Sequence, residues 1–367
     1  MKHCISALFI LLLPICAMAQ TSVTPYTPGV TTEGAAYYLP KTALNVSITT
    51  EKTTYIPGEL CQYAERYLRI TGISNREDCY HTIQSATITA EGLPDASKLY
   101  HILYTTSSVA PLVTLSETGV LQSINVSAVP VAAVPVAEVP VEEPVEQSVK
   151  KIPSARTFMT EEMLMAGSKA KLAELVAKEI YNIRESRNLI IRGQGEHMPQ
   201  DGESFRILLA GLDEQEQAFM QLFTGVTTTE VTTQAYQVIP DTVTDKLIFG
   251  RFSRKLGLLH GDDLSGSPLY IDIKCKQPIL EPMADVPVST AKGKKSKRGA
   301  LQDGLVYNLP VQAEVKVYTN TKVLASGSLP LAQFGRTETL SSALLVKKKD
   351  VKITLDPITG ALLRVEE

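Results

Sequence analysis

The chain has 367 residues, with 36 basic against 39 acidic side chains and a formal charge of −3. At roughly 150 residues per domain this length accommodates about two domains. Hydrophobic residues at 44 % exclude a wholly disordered chain, and the near balance of charge excludes steering of nucleic acid by a global field.

The first 19 residues read as a secretory signal. Lys2 and His3 precede an apolar run over 5–15, and Ala17-Met18-Ala19 offers small residues to a signal peptidase. A lipoprotein reading through Leu13-Pro14-Ile15-Cys16 competes, but the residue before a lipidated Cys should be small and Ile15 is not. No later stretch reaches the roughly 20 apolar residues of a membrane helix. The expectation is an exported protein of the periplasm, the outer-membrane surface or the exterior. Removal of the signal leaves Cys61, Cys79 and Cys275. In an oxidising compartment Cys61 and Cys79 could close a loop of about 18 residues, worth roughly 3 kcal/mol; three unpaired thiols are the alternative.

Residues 20–36 are rich in Thr, Pro and Gly and read as a tail, and 43–55 alternate as a strand with Leu44, Val46 and Ile48 on one face. Pro57-Gly58 opens a helix to about residue 70, with Leu60, Ala64, Tyr67 and Leu68 as its stripe. Strand-like runs follow at 82–90, 98–105, 109–115 and 120–126. From Val129 to Val145 the chain reads VPVAAVPVAEVPVEEPV; recurrent Pro removes amide donors and fixes φ, so this segment is expected to stay out of helices and sheets, as a spacer or surface loop. Met159, Met163, Ala166, Ala170, Ala173, Ala177 and Ile180 recur at helical steps. Phe205, Leu208, Leu209 and Leu212 begin a second helical stretch, which Gly211 is expected to interrupt, with a restart capped by Asp213 and Glu216 and an end at Gly225. Strands are expected near 228–239, 246–254, 268–275, 304–309, 311–318, 322–329, 350–355 and 361–365. The organisation is thus a signal over 1–19, a β-rich module with one helix over 20–128, a Pro/Val linker or loop over 129–152, a helical segment over 153–227 and a second β-rich module over 228–367.

Three short patterns recur in the same order. Tyr37-x-Leu39-Pro40-x-x-Ala43 matches Tyr307-x-Leu309-Pro310-x-x-Ala313, and Leu93-Pro94-x-Ala96 matches Leu329-Pro330-x-Ala332. Thr118-Gly119-x-Leu121-x-x-Ile124 matches Thr359-Gly360-x-Leu362-x-x-Val365, each placed as a turn with Gly at a positive-φ position. The fold expected is α+β: mostly antiparallel sheet modules forming an internal repeat around a central helical segment.

Met198-Pro199-Gln200-Asp201-Gly202-Glu203, Leu222-Phe223-Thr224-Gly225, Asp263-Leu264-Ser265-Gly266, Leu331-Ala332-Gln333-Phe334-Gly335 and the final Asp356-Pro357-x-Thr359-Gly360-Ala361-Leu362 are familiar as a set. With Tyr55-Ile56-Pro57-Gly58-Glu59 and Tyr63-Ala64-Glu65-Arg66-Tyr67-Leu68, they resemble a family of exported envelope proteins of Gram-negative bacteria, domain of unknown function 4831. The resemblance spans nearly the whole mature chain. It implies export and a common fold, and assigns no catalytic residue.

Catalytic signatures are sparse. No Gly-x-Ser-x-Gly occurs, Gly261-Asp262-Asp263-Leu264-Ser265-Gly266 reads as a turn, and Gly193-Gln194-Gly195 lacks a phosphate-loop context. His81 and His101, on strand-like segments, could be cross-strand neighbours. The best local cluster for a metal or an acid–base pair is Glu196, His197 and Asp201. Tyr37, Tyr38 and Tyr55, with Lys294 and Lys295 of the basic run Lys292-x-Lys294-Lys295-x-Lys297-Arg298, form a candidate binding surface, although Tyr equally suits half-buried strands. The reading is a non-catalytic binding or scaffold protein of the cell envelope without a cofactor, contacting other envelope proteins or a glycan, with peripheral outer-membrane association and no nucleic-acid partner. A periplasmic hydrolase or metal-dependent enzyme centred on His197 is the alternative.

Overall fold

The computed structural model describes residues 22–26, 34–103, 112–126, 135–136, 153–194, 202–275, 304–341 and 351–366. The chain runs as β1 (Ser22–Pro25), β2 (Gly34–Ile56), α1 (Ala64–Leu68), β3 (Asp78–Leu103), β4 (Val113–Leu115), β5 (Leu121–Ile124), β6 (Pro135–Val136), α2 (Glu161–Leu164), α3 (Lys169–Ile191) and α4 (Gly202–Thr224). There follow β7 (Val226–Val238), β8 (Thr244–Ser253), β9 (Gly257–Leu259), β10 (Ser267–Cys275), β11 (Gly304–Tyr318), β12 (Val323–Ser341), β13 (Lys352–Leu355) and β14 (Leu362–Glu366). This is the α+β, mostly antiparallel architecture that the alternation of apolar residues indicates.

Two long antiparallel hairpins organise three sheets. The first sheet has the order β1-β3-β2-β7, with β6 also on β3; the second is β12-β11-β10-β8-β9; the third is β14-β13-β5-β4. Leu44, Val46 and Ile48 of β2 with Ala86, Ile88 and Ala90 of β3 face Leu269, Ile271 and Ile273 of β10 and Val311, Ala313, Val315 and Val317 of β11. The first two sheets therefore close as a sandwich, each buried Leu, Ile or Val contributing about 1.5–3 kcal/mol of transfer free energy. The other ends of the same hairpins pack on the third sheet, through Tyr37, Leu39, Ile102, Leu305, Leu121, Ile124 and Ile353.

One ribbon serves two cores because each hairpin is kinked where its Leu-Pro stands. In β2–β3 the register jumps from Tyr38↔Leu99 to Pro40↔Pro94, leaving residues 95–98 unpaired. In β11–β12 it jumps from Leu309↔Arg336 to Val311↔Leu331, leaving residues 332–335 unpaired. Both bulges set four residues of the second strand against one of the first, three extra in each case, and both re-aim the side chains beyond them. The third anchors are equivalent as well. Gly119 and Gly360 have φ of 81° and 72°, and each accepts at its carbonyl, at 3.0 Å, the N–H of the residue before its own Leu-Pro, Tyr38 or Asn308. The first and third patterns thus share one hydrogen-bonded arrangement in the two hairpins, whereas the second stands in registers two residues apart, with Pro94 opposite Pro40 but Pro330 opposite Gln312.

A separate core holds the helices: Leu60, Ala64, Leu68, Met163, Ala173, Val176, Ala177, Ile180, Ile183, Ala218, Phe219 and Phe223. Ser168 caps α3 by accepting the Lys171 N–H at 3.2 Å. The region expected as a helix to residue 70 is a 3-10 turn, Cys61–Tyr63, followed by the five-residue α1, which Arg69 ends in the left-handed region with φ 59°.

Four expectations are corrected. α4 passes unbroken through Gly211; the cost of about 1 kcal/mol for a helical Gly is outweighed by the packing and ion pairs of its second half. The runs expected at 82–90 and 98–105 are one strand as far as the described residues reach, Asp78–Leu103, as are those at 304–309 and 311–318, because a bulge accommodates the interruption. The Pro/Val segment does join a sheet: Pro135 and Val136 pair with Thr89 and Ile88. A residue without an N–H is tolerated at a sheet edge, where no further strand asks for the bond. Finally, Cys61 and Cys79 are free thiols. Cys79 lies beside the Thr54 hydroxyl at 3.8 Å, on one face of the hairpin. Cys61 lies past the end of β2, in the 3-10 turn Cys61–Tyr63.

The ion cluster between α3 and α4 carries a pH prediction. Arg184 Nε donates to Glu216 Oε1 at 2.6 Å, and Arg187 bridges Glu216 and Asp213. Partial burial raises the Glu216 pKa, but hydrogen bonds from the two guanidiniums outweigh it and hold the carboxyl below its ordinary value of 4.5. A carboxylate with a depressed folded-state pKa stabilises the fold fully above its unfolded value, and that stability is lost as pH falls through the folded value. Glu216→Gln is expected to lower stability by about 1–2 kcal/mol at neutral pH. The gap to wild type should close as pH drops below 4.5, measured by thermal unfolding across pH; a gap independent of pH would exclude this role.

Candidate functional site

The alternation that builds the sandwich changes chemistry toward one end. On β2 the inward phase Leu44, Val46, Ile48 continues as Thr50 and Lys52. On β7 the matching phase, read backward from Val238 and Tyr236, continues as Gln234, Thr232 and Glu230. Core-phase positions that turn polar mark a place where the second sheet no longer covers the first. A cavity of about 200 Å³ opens there, walled by Thr50, Lys52, His81, Glu230, Thr232 and Gln234 and by Leu256, Gly257 and Leu258 of the β8–β9 hairpin.

Strand register sets the polar floor. Lys52 stands opposite His81 on β3 and opposite Glu230 on β7, so imidazole, ammonium and carboxylate form one row across three strands. Lys52 Nζ lies 3.7 Å from Glu230 Oε2. Two strand spacings, about 10 Å, separate the backbones of His81 and Glu230. The next row places Thr50 against Thr232, whose carbonyl accepts the Thr50 hydroxyl at 3.3 Å.

The β8–β9 hairpin is clamped over the start of β3. The His81 N–H donates to the Arg254 carbonyl at 2.7 Å, and the Arg254 guanidinium lies over the Tyr80 ring at 5.0 Å. Lys255 reaches Asp78 and donates to the Cys79 carbonyl at 3.2 Å. Its hydrogen bond holds the Asp78 carboxyl below the ordinary range against a smaller opposing effect of desolvation. Gly257 closes the hairpin at φ 81°, with the His81 ring where a side chain would go: a Cβ would stand 3.1 Å from Cδ2. The buried Nδ1 of His81 has no hydrogen-bond partner among the described residues.

Of the residues singled out from sequence, Glu196, His197, Asp201, Lys294 and Lys295 lie outside the described residues. Tyr37, Tyr38 and Tyr55 do not form a surface. Tyr37 is 0 % exposed; its hydroxyl donates to the Val306 carbonyl at 3.2 Å and accepts the Val306 N–H at 3.1 Å, and burial drives its pKa upward. Tyr38 packs on Gly119, while Tyr55 braces Ser74 and Thr224 through its hydroxyl. Large rings in half-buried strands here serve packing. His81 and His101 sit 20 residues apart on the single strand β3 and so are not cross-strand neighbours. His260 pairs with Asp262 at 3.2 Å on the open surface. Among the described residues no three His, Cys, Asp or Glu side chains converge as metal ligands. Lys52 and Glu230 escaped the sequence reading, although a polar break in an otherwise apolar strand phase was their visible signal.

Fold and cleft together define a class: a three-sheet, mostly antiparallel β protein with a helical lobe and a polar recess at the open end of its sandwich. The chain belongs to the family described as a domain of unknown function (DUF4831), whose model matches residues 33–363. The match runs from the start of β2 into β14 and so takes in strands of all three sheets. No curated protein and no solved structure matches the chain.

Proposed function

We propose that this protein is an exported, non-catalytic binding component of the bacterial cell envelope, and that the cleft takes a polyhydroxylated ligand of about one sugar ring. The signal-like first 19 residues support export. No helix among the described residues is long and apolar enough to cross a membrane. The observation that carries the binding reading is the Lys52–His81–Glu230 row facing the Leu256–Leu258 wall. Ammonium, imidazole and amide donors, a carboxylate acceptor and Thr hydroxyls line one side, and apolar carbon lines the other. That division matches a ring whose hydroxyls point outward and whose C–H face is apolar. The volume lies below the roughly 300–1,000 Å³ of sites for larger ligands. With Lys52 standing between His81 and Glu230, imidazole and carboxylate are spaced for holding a ligand rather than for relaying a proton between them.

Titration of the mature protein with envelope-derived mono- and disaccharides, followed by NMR or calorimetry, tests this. Saturable binding is expected, weakened about tenfold (~1.4 kcal/mol) by Lys52→Ala or Glu230→Ala with an unchanged melting temperature. Absence of binding across the panel would overturn the ligand class, and turnover of a bound glycan would overturn the non-catalytic reading.

A further inference from the structure

Among the described residues β7 is an edge strand of the first sheet, and every residue from Val226 to Ala235 is exposed. Its 13 residues, VTTTEVTTQAYQV, contain no Pro, Gly or Lys, and its pairing with β2 has no bulge. These are the devices by which natural sheets blunt an edge against pairing. Near Tyr236 the edge is closed, since that ring packs on Phe249 at 5.4 Å and on Gly250. The open stretch is therefore centred within Glu230–Val231.

The direction of its backbone groups follows from the register. Both backbone groups of Thr42 are taken by the Gln333 amide, on the flank away from β3. Even-numbered residues of β2 thus turn toward β7, and through Leu44↔Val238 to Ile56↔Val226 the even-numbered residues of β7 return those bonds. The Thr232 carbonyl, which accepts from Thr50, agrees. Thr227, Thr229, Val231, Thr233 and Ala235 are left with N–H and C=O aimed outward.

We infer that this edge pairs antiparallel with the β7 edge of a second copy of the chain about a two-fold axis at Val231. In an antiparallel ladder outward groups must meet outward groups, so odd-numbered residues face odd-numbered ones. An axis at Glu230 would set two like carboxylates opposite each other. An axis at Val231, which is 52 % exposed in this chain, sets the two valines together on one face and Thr229 against Thr233. Glu230 then meets Thr232 of the other copy on the cleft face. This merges the two sheets and brings the two clefts side by side, and it holds whatever ligand the cleft takes.

Sedimentation velocity of the full mature chain, with melting temperature followed in parallel, tests the pairing. The wild type is expected to be a dimer. Val231→Pro removes one outward N–H and no bond to β2, so it should raise the dimer dissociation constant at least tenfold with little change in melting temperature. Val231→Asp should do the same by charge repulsion, and mixing it with Val231→Lys should restore a mixed dimer, because residue 231 faces itself. A wild type that stays monomeric at high concentration would overturn the inference. So would a dimer indifferent to both substitutions, or Asp and Lys variants that fail to rescue one another.

Discussion

Phe219→Ala is expected to destabilise the protein by about 3–5 kcal/mol, the range for removing a large buried aromatic ring. Phe219 is 1 % exposed at the centre of the helical core. Its ring meets the edge of Phe158 at 6.4 Å, which adds about 0.5–1.5 kcal/mol beyond burial. The helical lobe has no sheet ladder of its own, so its order depends on this packing. α4 runs directly into β7 through Gly225, and the Leu60 N–H donates to the Leu222 carbonyl at 2.8 Å, so loosening of α4 also pulls on the first sheet. Chemical denaturation of wild type and Phe219→Ala provides the measurement, with Phe219→Leu expected to recover part of the loss. A loss below about 1 kcal/mol would mean that the ring is not at a packed centre.

Asn308→Ala should cost about 2–4 kcal/mol. Asn308 is 0 % exposed, and its Nδ2 donates to the Pro40 carbonyl of the first module at 3.0 Å and to the Thr359 carbonyl of the second at 2.8 Å. Truncation leaves two buried carbonyls unpaired, each costing about 1–3 kcal/mol. Asn308→Asp places a carboxylate where only a donor fits, so it should be more damaging at neutral pH and partly relieved in acid, when the carboxyl is protonated. Equilibrium denaturation at two pH values checks both variants. An Asn308→Asp protein as stable as wild type would remove this side chain as the bridge between modules. Thr42 and Gln333 make a neighbouring bridge: the Thr42 hydroxyl accepts the Ala332 N–H at 3.1 Å, and Gln333 Nε2 donates to the Thr42 carbonyl at 2.8 Å. The four-residue bulge of β12 thus supplies groups that lock the first sheet to the second.

Local patterns were legible wherever one residue's neighbours along the chain decide its role. Leu44, Val46 and Ile48 announce the face of a strand, the Thr-Gly pairs announce turns at Gly119 and Gly360, and the helix end at Gly225 agrees with its positive φ of 77°. Tyr37 shows where this reasoning stops: the same ring suits a ligand platform or a core, and only the Val306 backbone above it determines which. Gly211 shows the same in a helix, where distant packing overrides a local penalty.

By itself, then, the sequence determined the α+β, mostly antiparallel class and the place of most strands and helices, because side-chain periodicity and turn dihedrals are local properties. Tertiary structure alone decided that Lys52, His81 and Glu230 share a row and that β7 is an edge strand among the described residues. Those residues come from three strands brought together by long-range pairing, and register between strands is set by the summed burial of two whole faces, not by any residue's immediate neighbours.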